Sequence, residues 1–326
     1  MKVIRKILVF IMIFVLSTMS FCYVQLYLVE AKKINIFSKE NDNLKKIKQE
    51  EYEQKLQNEY NECLTTQMSI NELDSELNNK IGELNSYFAS INISVVYENL
   101  ITGFNYSYNP KKIYYGASLV KLAEALYIYE EAAKGNVNLN DTITYTNNDR
   151  IGASIGMKKH KVGEKIAIKK LVEYILIYSD NDAHLMLQRH FGQDNIKEYI
   201  NDLGATILFW DTYGSWSAYD TNKILKRLYE FIEENKILGQ ELKYWLINDD
   251  SSYMINSKIA AHKYGGTKEY FHDIAIVYEQ SAYTVSIFTT HGNKEYAEII
   301  NSSSTKILEL HNIYNENRTK ICKKTP

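Results

Sequence analysis

The sequence predicts an α/β (α+β) fold, with an antiparallel sheet flanked by helices and an all-helical subdomain inserted between its strands. A helix and two strands are predicted first, within residues 69–109, and a long block with helical periodicity follows at about 118–235. Strand patterns then return before a closing helix. A run of helices between two groups of strands is typical of an α+β domain rather than of alternating β–α–β units.

The folded body is predicted to begin with a helix over about residues 69–86. Ser69 and Glu72 form an S-x-x-E capping pattern, and apolar residues then recur at helical spacing. Residues 90–97 alternate polar and apolar side chains, which is the period of a half-buried strand. A second strand at 104–109 follows a short turn, so the two predict a hairpin.

The middle block predicts four helices. Residues 119–133 are apolar nearly all round, which indicates a buried helix. Residues 167–192 predict two helices joined at 179–181, where Ser, Asp and Asn favour a helix start. The fourth helix is predicted at 220–235, with Asp220 as its cap.

The last third of the sequence predicts three strands and a closing helix, at 257–265, 271–280, 282–290 and 293–312. We therefore expect one catalytic domain over residues 69–312, followed by a polar tail at 313–326.

The first 29 residues predict a membrane anchor or an uncleaved signal. Lys2, Arg5 and Lys6 precede a mostly apolar run of 23 residues at 7–29, which is long enough to span a bilayer. A cleaved signal would have a shorter apolar core and a small-residue cleavage site, which this segment matches poorly. Secretion after cleavage stays open as the alternative.

Residues 30–68 predict a polar helical stalk or linker. They are rich in Lys, Glu, Asn and Gln, and their apolar residues recur only loosely at helical spacing. A stalk-mediated coiled-coil dimer with Cys63 at its seam is an open alternative, although the heptads are irregular.

Composition excludes two classes of function. The net charge of −2 and the pI of about 6.4 leave no basic stripe of the kind that nucleic acid requires. The three cysteines lie far apart, and the seven histidines form no H-E-x-x-H pattern. We therefore expect no nucleic-acid partner, no metal site and no cofactor.

Ser118 and Lys121 place a hydroxyl and an amine on one face of the buried helix. A serine hydroxyl is a weak nucleophile that needs a base, and a lysine can serve only as the neutral amine. Burial and a second cation both lower a lysine pKa in that direction. Alone the pattern is weak, because the same spacing recurs at Ser303 and Lys306 and a capped helix with a solvated lysine also produces it.

Two further motifs make the pattern specific. S-D-N at 179–181 lies at a helix junction, and H-K-Y-G-G-T at 262–267 ends a strand. A helix cap would explain the first alone, and an edge lysine before a glycine turn would explain the second. In the order S-x-x-K, S-D-N and K-x-G, the three resemble the serine penicillin-recognising superfamily, which contains class A β-lactamases and D,D-peptidases. The resemblance covers about residues 70–312.

The resemblance implies a β-lactamase/transpeptidase-like fold and catalysis through an acyl-enzyme. Ser118 would attack the substrate carbonyl, and Lys121 would take or relay its proton. Ser179 would pass a proton to the leaving nitrogen, helped by Lys263.

The same resemblance implies the substrate-binding groups. Asn181 would hold the amide side chain of the substrate, and the backbone N–H groups of the nucleophile and of Gly266 would form the oxyanion hole, next to Gly265. Tyr264 stands where the family has Thr or Ser, which usually helps to bind the substrate carboxylate. Thr267 is the candidate to compensate for this departure.

A second departure concerns deacylation. Class A β-lactamases carry a loop glutamate that activates the deacylating water, but residues 204–223 contain no glutamate. Asp211 and Asp220 are the carboxylates of this stretch. Asp220 is predicted to cap a helix, which leaves Asp211 as the candidate substitute base. Without a base, an acyl-enzyme formed from a β-lactam should persist.

We therefore expect a serine hydrolase that acts on cell-wall D-Ala-peptide-like amides or β-lactams through acylation of Ser118. A true β-lactamase is the first alternative, and a sensor module that is acylated without turnover is the second. The expected partners are a cell-wall peptide or a β-lactam, and the membrane. The expected location is the extracytoplasmic face.

Overall fold

The computed structural model describes residues 75–322, apart from 153, 210, 250–258, 280 and 292–294, together with the isolated residues Thr18, Gln54, Lys55 and Asn58. Contacts group Glu72–Pro326 into one compact unit. Apart from the four isolated residues, the predicted anchor at 1–29 and stalk at 30–68 lie outside the described residues, as does the capping pair Ser69–Glu72. None of the helices in the described ranges is long and apolar enough to span a membrane.

The described residues form eight α-helices: α1 Ser75–Ile91, α2 Val120–Ala133, α3 Ile168–Ile177, α4 Asn181–Phe191, α5 Gln193–Asp202, α6 Ala218–Glu234, α7 Leu238–Ile247 and α8 Glu295–Cys322. Each of the predicted helices is present. The first helix runs further than predicted, to Ile91 instead of 86, so the first strand begins at Ser94 rather than at 90.

The strands are β1 Ser94–Asn99, β2 Asn105–Tyr108, β3 Tyr114–Tyr115, β4 Thr142–Thr144, β5 Lys165–Ala167, β6 Ser215–Trp216, β7 Ile259–Gly266, β8 Phe271–Tyr278 and β9 Tyr283–Thr289. Five of them form an antiparallel sheet in the order β2-β1-β9-β8-β7. The predicted hairpin is the pair β1–β2, and the predicted mixed fold with an antiparallel sheet is confirmed. The helical block is not purely helical, however, because the short pair β4–β5 lies within it.

The sheet is covered on both faces. α1 and α8 pack on one face through Leu84, Phe88, Ile300, Ile307 and Leu310. α6 lies against β1, β8 and β9, and α7 lies against β7. The central strands β8 and β9 are therefore buried along almost their whole length and show long apolar runs rather than alternation.

Two predicted boundaries are wrong, and each is explained by a contact in the structure. Ser217, not Asp220, caps α6: its Oγ accepts from the Asp220 backbone N–H at 3.1 Å. The Asp220 carboxylate instead accepts from Ser217 Oγ at 2.5 Å and from the Thr206 backbone N–H at 2.9 Å. It thus ties the start of α6 to the preceding loop.

The predicted tail at 313–326 is helical as far as Cys322, because α8 does not end at 312. Tyr314 explains the extension. Its ring is 7% exposed and stacks on Phe104 with centroids 4.1 Å apart. This contact lies beyond the reach of local periodicity, since the two residues are far apart in the chain.

Candidate active site

Ser118 lies in a tight turn that joins β3 to α2. The turn is a short 3-10 segment, and Ala117 within it has φ +47°. A left-handed conformation costs a residue with a Cβ about 1–2 kcal/mol, so surrounding contacts must hold it. A Cβ on Gly265 of β7 would lie 2.5 Å from the Gly116 carbonyl oxygen. The glycine thus lets the strand press directly against the nucleophile turn.

Lys121 is the centre of the hydrogen-bond network. Its side chain is 0% exposed, and Nζ donates to Ser118 Oγ at 2.9 Å, to the Ser179 carbonyl at 2.6 Å and to Asn181 Oδ1 at 2.6 Å. Three acceptors match the three donors of an ammonium group. As the neutral amine, the same nitrogen could accept the Ser118 proton over the 2.9 Å contact.

The surroundings favour that amine. Burial, and next the nearby Lys263 ammonium, hold the Lys121 pKa well below its usual range, while the Glu124 and Asp180 carboxylates act in the opposite direction. Burial and a second cation were expected to lower the pKa of this lysine, and the structure places both around it.

Ser179 and Lys263 form the second half of the site. Lys263 is also fully buried, and its Nζ donates to Ser179 Oγ at 3.0 Å. Ser179 has φ +52° at the junction of α3 and α4. Asp180 fixes this junction, since its carboxylate accepts from the backbone N–H groups of Ala183 at 3.0 Å and Met157 at 2.9 Å. Two lysines and two serines thus meet in one continuous network.

The other predicted binding residues lie at the end of β7. Gly266 is its last residue, and a Cβ there would lie 2.8 Å from the Phe271 ring. The Tyr264 ring stacks on Phe271 with centroids 5.8 Å apart, and Lys263 Nζ lies 4.3 Å from its centroid. Thr267 Oγ1 accepts from two backbone N–H groups in the β7–β8 turn. That oxygen is therefore already engaged, and compensation by Thr267 stays a prediction.

The candidate substitute base, Asp211, serves a turn instead. Its side chain is exposed, and Oδ1 accepts from the backbone N–H groups of Tyr213 at 2.9 Å and Gly214 at 2.8 Å. Among the described residues, no carboxylate is hydrogen-bonded to Ser118 or Lys121.

Tyr213 is a site residue that the sequence analysis missed. Its hydroxyl donates to Asn181 Oδ1 at 3.3 Å, and its ring centroid lies 5.9 Å from Lys121 Nζ. It comes from the loop that lacks a glutamate. One tyrosine among 27 gives no local signal of this role.

Glu124 and His184 were missed as well. They form a buried pair one helical turn below Lys121 and Asn181, with His184 Nδ1 2.7 Å from Glu124 Oε2. A glutamate within the apolar sequence of α2 was the available signal. No group of three or more His, Cys, Asp and Glu side chains in the described part of the chain is placed to hold a metal ion.

Solved structures share this fold at low sequence identity. One is a mutant of PBP-A solved as an acyl-enzyme complex with penicillin-G, at 14% identity and a TM-score of 0.65 over 73% of this chain and 97% of that chain. Another is the TLA-3 extended-spectrum beta-lactamase, at 16% identity and a TM-score of 0.64 over 71% of this chain and 98% of that chain. A third is a beta-lactamase from Chitinophaga pinensis, at 17% identity and a TM-score of 0.63 over 72% of this chain and 99% of that chain.

A search of curated proteins gives no significant match. A family model, described as the beta-lactamase enzyme family, matches residues 72–311. The match covers most of the chain and includes all three motifs, so the resemblance to the serine penicillin-recognising enzymes is confirmed. The chain belongs to the beta-lactamase enzyme family and is a serine hydrolase that acts on amide bonds.

Proposed function

We propose that the protein forms an acyl-enzyme at Ser118 with cell-wall D-Ala-peptide-like amides and with β-lactams, and that it releases the acyl group slowly. One observation carries the proposal. Ser118, Lys121, Ser179 and Lys263 form a single network around two buried lysines, and no carboxylate of the described residues is hydrogen-bonded to Ser118 or Lys121. The network has the parts that acylation needs and lacks a dedicated base for a second, hydrolytic water.

Acylation follows from the contacts. The Lys121 amine takes the Ser118 proton across 2.9 Å while Oγ attacks the carbonyl carbon. The resulting oxyanion is held by the backbone N–H groups of Ser118 and Gly266. Ser179 gives its proton to the leaving nitrogen, and Lys263, 3.0 Å from Ser179 Oγ, stabilises the serine oxygen as it loses that proton. The proton that Lys121 took from Ser118 then replaces it on Ser179.

Deacylation is the slow step in this scheme. A positioned general base typically contributes a factor of about 10²–10⁴. The loop at 204–223 contributes Tyr213, whose hydroxyl donates to Asn181, in the part of the sequence where class A β-lactamases have their glutamate. Within the described residues that contact Ser118, Lys121 is then the group able to activate water, and it is shared with Ser118.

The charge of the site favours an anionic substrate. Lys263 is fully buried, and a substrate carboxylate beside its ammonium group would gain from that charge. D-Ala peptides and penicillins both end in such a carboxylate next to an amide. A mutant of PBP-A, which shares the fold, was solved as an acyl-enzyme complex with penicillin-G.

Intact-mass spectrometry of the purified protein mixed with penicillin-G tests the proposal. We expect an adduct of one penicillin that persists for hours and is absent in Ser118→Ala. Rapid drug consumption without a lasting adduct would establish the alternative of a true β-lactamase. If neither an adduct nor drug consumption is found, β-lactam recognition is contradicted. Tyr264, which replaces the carboxylate-binding Thr or Ser of the family, would then be the residue that explains the loss. An adduct that persists in folded Ser118→Ala would refute the nucleophile assignment.

A cell-wall substrate also supports an extracytoplasmic body. We propose that residues 7–29 anchor the protein in the membrane and that the stalk holds the body toward the wall; this rests on the apolar run in the sequence. Membrane fractionation of the full chain, with protease protection from the outer side as the control, is expected to place it there. A dimer through the stalk stays a prediction.

A further inference from the structure

A buried ionisable pair lies next to the proposed base and takes no part in the steps above. Glu124 follows Lys121 by one turn of α2, and His184 follows Asn181 by one turn of α4. The two side chains are 0% exposed and 2.7 Å apart. The helices therefore hold a carboxylate and an imidazole behind two side chains that are themselves in contact, Lys121 and Asn181.

A purely structural role explains the pair poorly. Glu124 Oε1 and His184 Nε2 have no hydrogen-bond partner among the described residues. Burying such atoms is unfavourable, and well-packed apolar side chains of similar volume often stabilise a core as much or more. Buried ionisable groups with unsatisfied atoms concentrate at functional sites, which makes their position beside Lys121 informative.

We propose that Glu124 and His184 are positioning residues for Lys121: the carboxylate is the fixed counter-charge of the lysine nitrogen, and the imidazole holds that carboxylate in place. The proposal deepens the function proposed above and rests on Lys121 being the base for Ser118. The pair sets the pH range in which the nitrogen can accept the serine proton.

The charged neighbours of Lys121 show why Glu124 matters most. Lys263 faces it from β7, Asp180 from the α3–α4 junction and Glu124 from its own helix. Asp180 uses both carboxylate oxygens to accept from backbone N–H groups, which spreads its charge. Glu124 has one such contact, to His184, and a second oxygen without a hydrogen-bond donor among the described residues. Its charge therefore acts on Lys121 with less local compensation.

Tyr213 closes the pair from the loop side. Its ring centroid lies 5.4 Å from that of His184 and 5.9 Å from Lys121 Nζ. Burial, followed by the charges of Asp211 and Glu124, raises the Tyr213 pKa, so this wall stays a neutral phenol. A neutral aromatic wall has a low dielectric constant, which strengthens the interaction between the carboxylate and the lysine.

The test measures the Lys121 pKa directly. The purified protein is labelled with ¹³C-lysine, the Cε chemical shift is followed against pH, and the Lys121 resonance is assigned by its loss in Lys121→Met. We expect Glu124→Gln to lower this pKa by about one unit or more. The acidic limb of the penicillin-acylation rate should move to lower pH by the same amount. His184→Gln, whose amide can still donate to the carboxylate, should keep the wild-type pKa.

Glu130→Gln is the matched control. Glu130 is a buried glutamate further along α2, paired with Arg227 at 2.6 Å and away from Lys121. It should lower stability without changing the Lys121 pKa. An unchanged pKa in folded Glu124→Gln would overturn the proposal. If that variant does not fold, the double variant Glu124→Leu with His184→Leu removes both polar groups together. The same drop in the Lys121 pKa is expected there, and an unchanged pKa would again overturn the proposal. The titration needs no substrate, so a missing penicillin adduct would count only against the proposed function.

Discussion

Lys121 illustrates how a single residue combines structure and chemistry. Its amine lies in a fully buried position and contacts three acceptors, one from its own S-x-x-K motif and two from the S-D-N motif. Desolvation of an ammonium is expensive, so the contacts and the lowered pKa are two responses to the same burial.

Lys121→Met is expected to reduce the rate of penicillin adduct formation by a factor of about 10²–10⁴, because the base is lost while the side-chain volume is kept. Stopped mixing with intact-mass detection measures the rate. Lys134→Met, at the exposed end of the same helix, is the control and should leave it unchanged. A Lys121→Met protein that acylates at the wild-type rate would show that another group takes the proton.

The predictability of the site differs from residue to residue. Ser118, Lys121, Ser179 and Lys263 were predicted because the motifs record their spacing along the chain. The environment of these groups could not be predicted in the same way. Tyr213 and the pair below Lys121 reach the site through packing between α2, α4 and a loop, and that packing leaves no periodic signal in the sequence.

At the scale of elements, the site depends on how closely β7 approaches the turn before α2. Gly265→Ala places a Cβ 2.5 Å from the Gly116 carbonyl, so the strand must move away from the turn. We expect loss of acylation of about tenfold or more with a folded protein, since a shift of this size misplaces the reacting groups. Acylation rate and circular dichroism measure the two effects.

Gly82→Ala is the control for that variant. Gly82 lies on the exposed side of α1, where an added Cβ would have nothing within 4 Å, and the substitution should stabilise the helix by up to about 1 kcal/mol. Acylation at the wild-type rate in Gly265→Ala would mean that the turn and the strand tolerate separation.

His272 joins three strands and makes stability depend on pH. Its Nε2 donates to the Tyr115 carbonyl at 2.9 Å, and its Nδ1 accepts from the Thr289 backbone N–H at 3.2 Å. Burial lowers the pKa of His272 to about 4, below the usual 6.5, so the unfolded chain binds the proton first as the pH falls. Its contribution is complete above about pH 6.5 and decreases between pH 6.5 and 4.

His272→Gln should therefore remove up to about 3 kcal/mol of the pH dependence of the unfolding free energy across that range. Urea titrations at several pH values measure it, with exposed His190→Gln as the control. Asp273, whose pKa burial raises to about 6, contributes stability that is lost as the pH rises, so it offsets part of the wild-type slope. Parallel slopes for wild type and His272→Gln would refute the assignment.

The existence and type of each element were predictable, and several ends were not. The first strand follows from its period of two, the late strands from their apolar, β-branched and aromatic composition, and the helices from helical spacing. The end of α8 depends on a contact between Tyr314 and Phe104, and the start of α6 depends on which of two polar residues reaches the free N–H groups. The first contact joins residues distant in sequence, and the second is a choice between two polar residues that both favour a helix start.

At the scale of the whole molecule, the first and last helices together cover one face of the sheet. Lys80 of α1 and Glu309 of α8 are 2.5 Å apart, and apolar residues of both helices share one core with the strands. Tyr314, which follows these residues in α8, is buried against Phe104, so the helix is part of the fold beyond residue 312 as well.

Tyr314→Ala is expected to lower the unfolding free energy by about 3 kcal/mol, because it removes a buried aromatic ring and leaves a cavity against Phe104. Urea denaturation measures the change, and Thr319→Ala on the exposed part of the same helix is the control. A loss no larger than that of the control would show that residues after 312 do act as a tail.

The pairing of β1 with β9 has a consequence for how the chain is made. Val95 lies opposite Ile287, so the centre of the sheet joins residues from the two ends of the body. Contacts between such distant segments form slowly, because the intervening loop must close first. The β1–β2 hairpin is synthesised early, but β1 can pair with β9 only after the last strand has been made. A body that cannot complete its core until its last strand and helix are made stays incompletely folded for most of its synthesis.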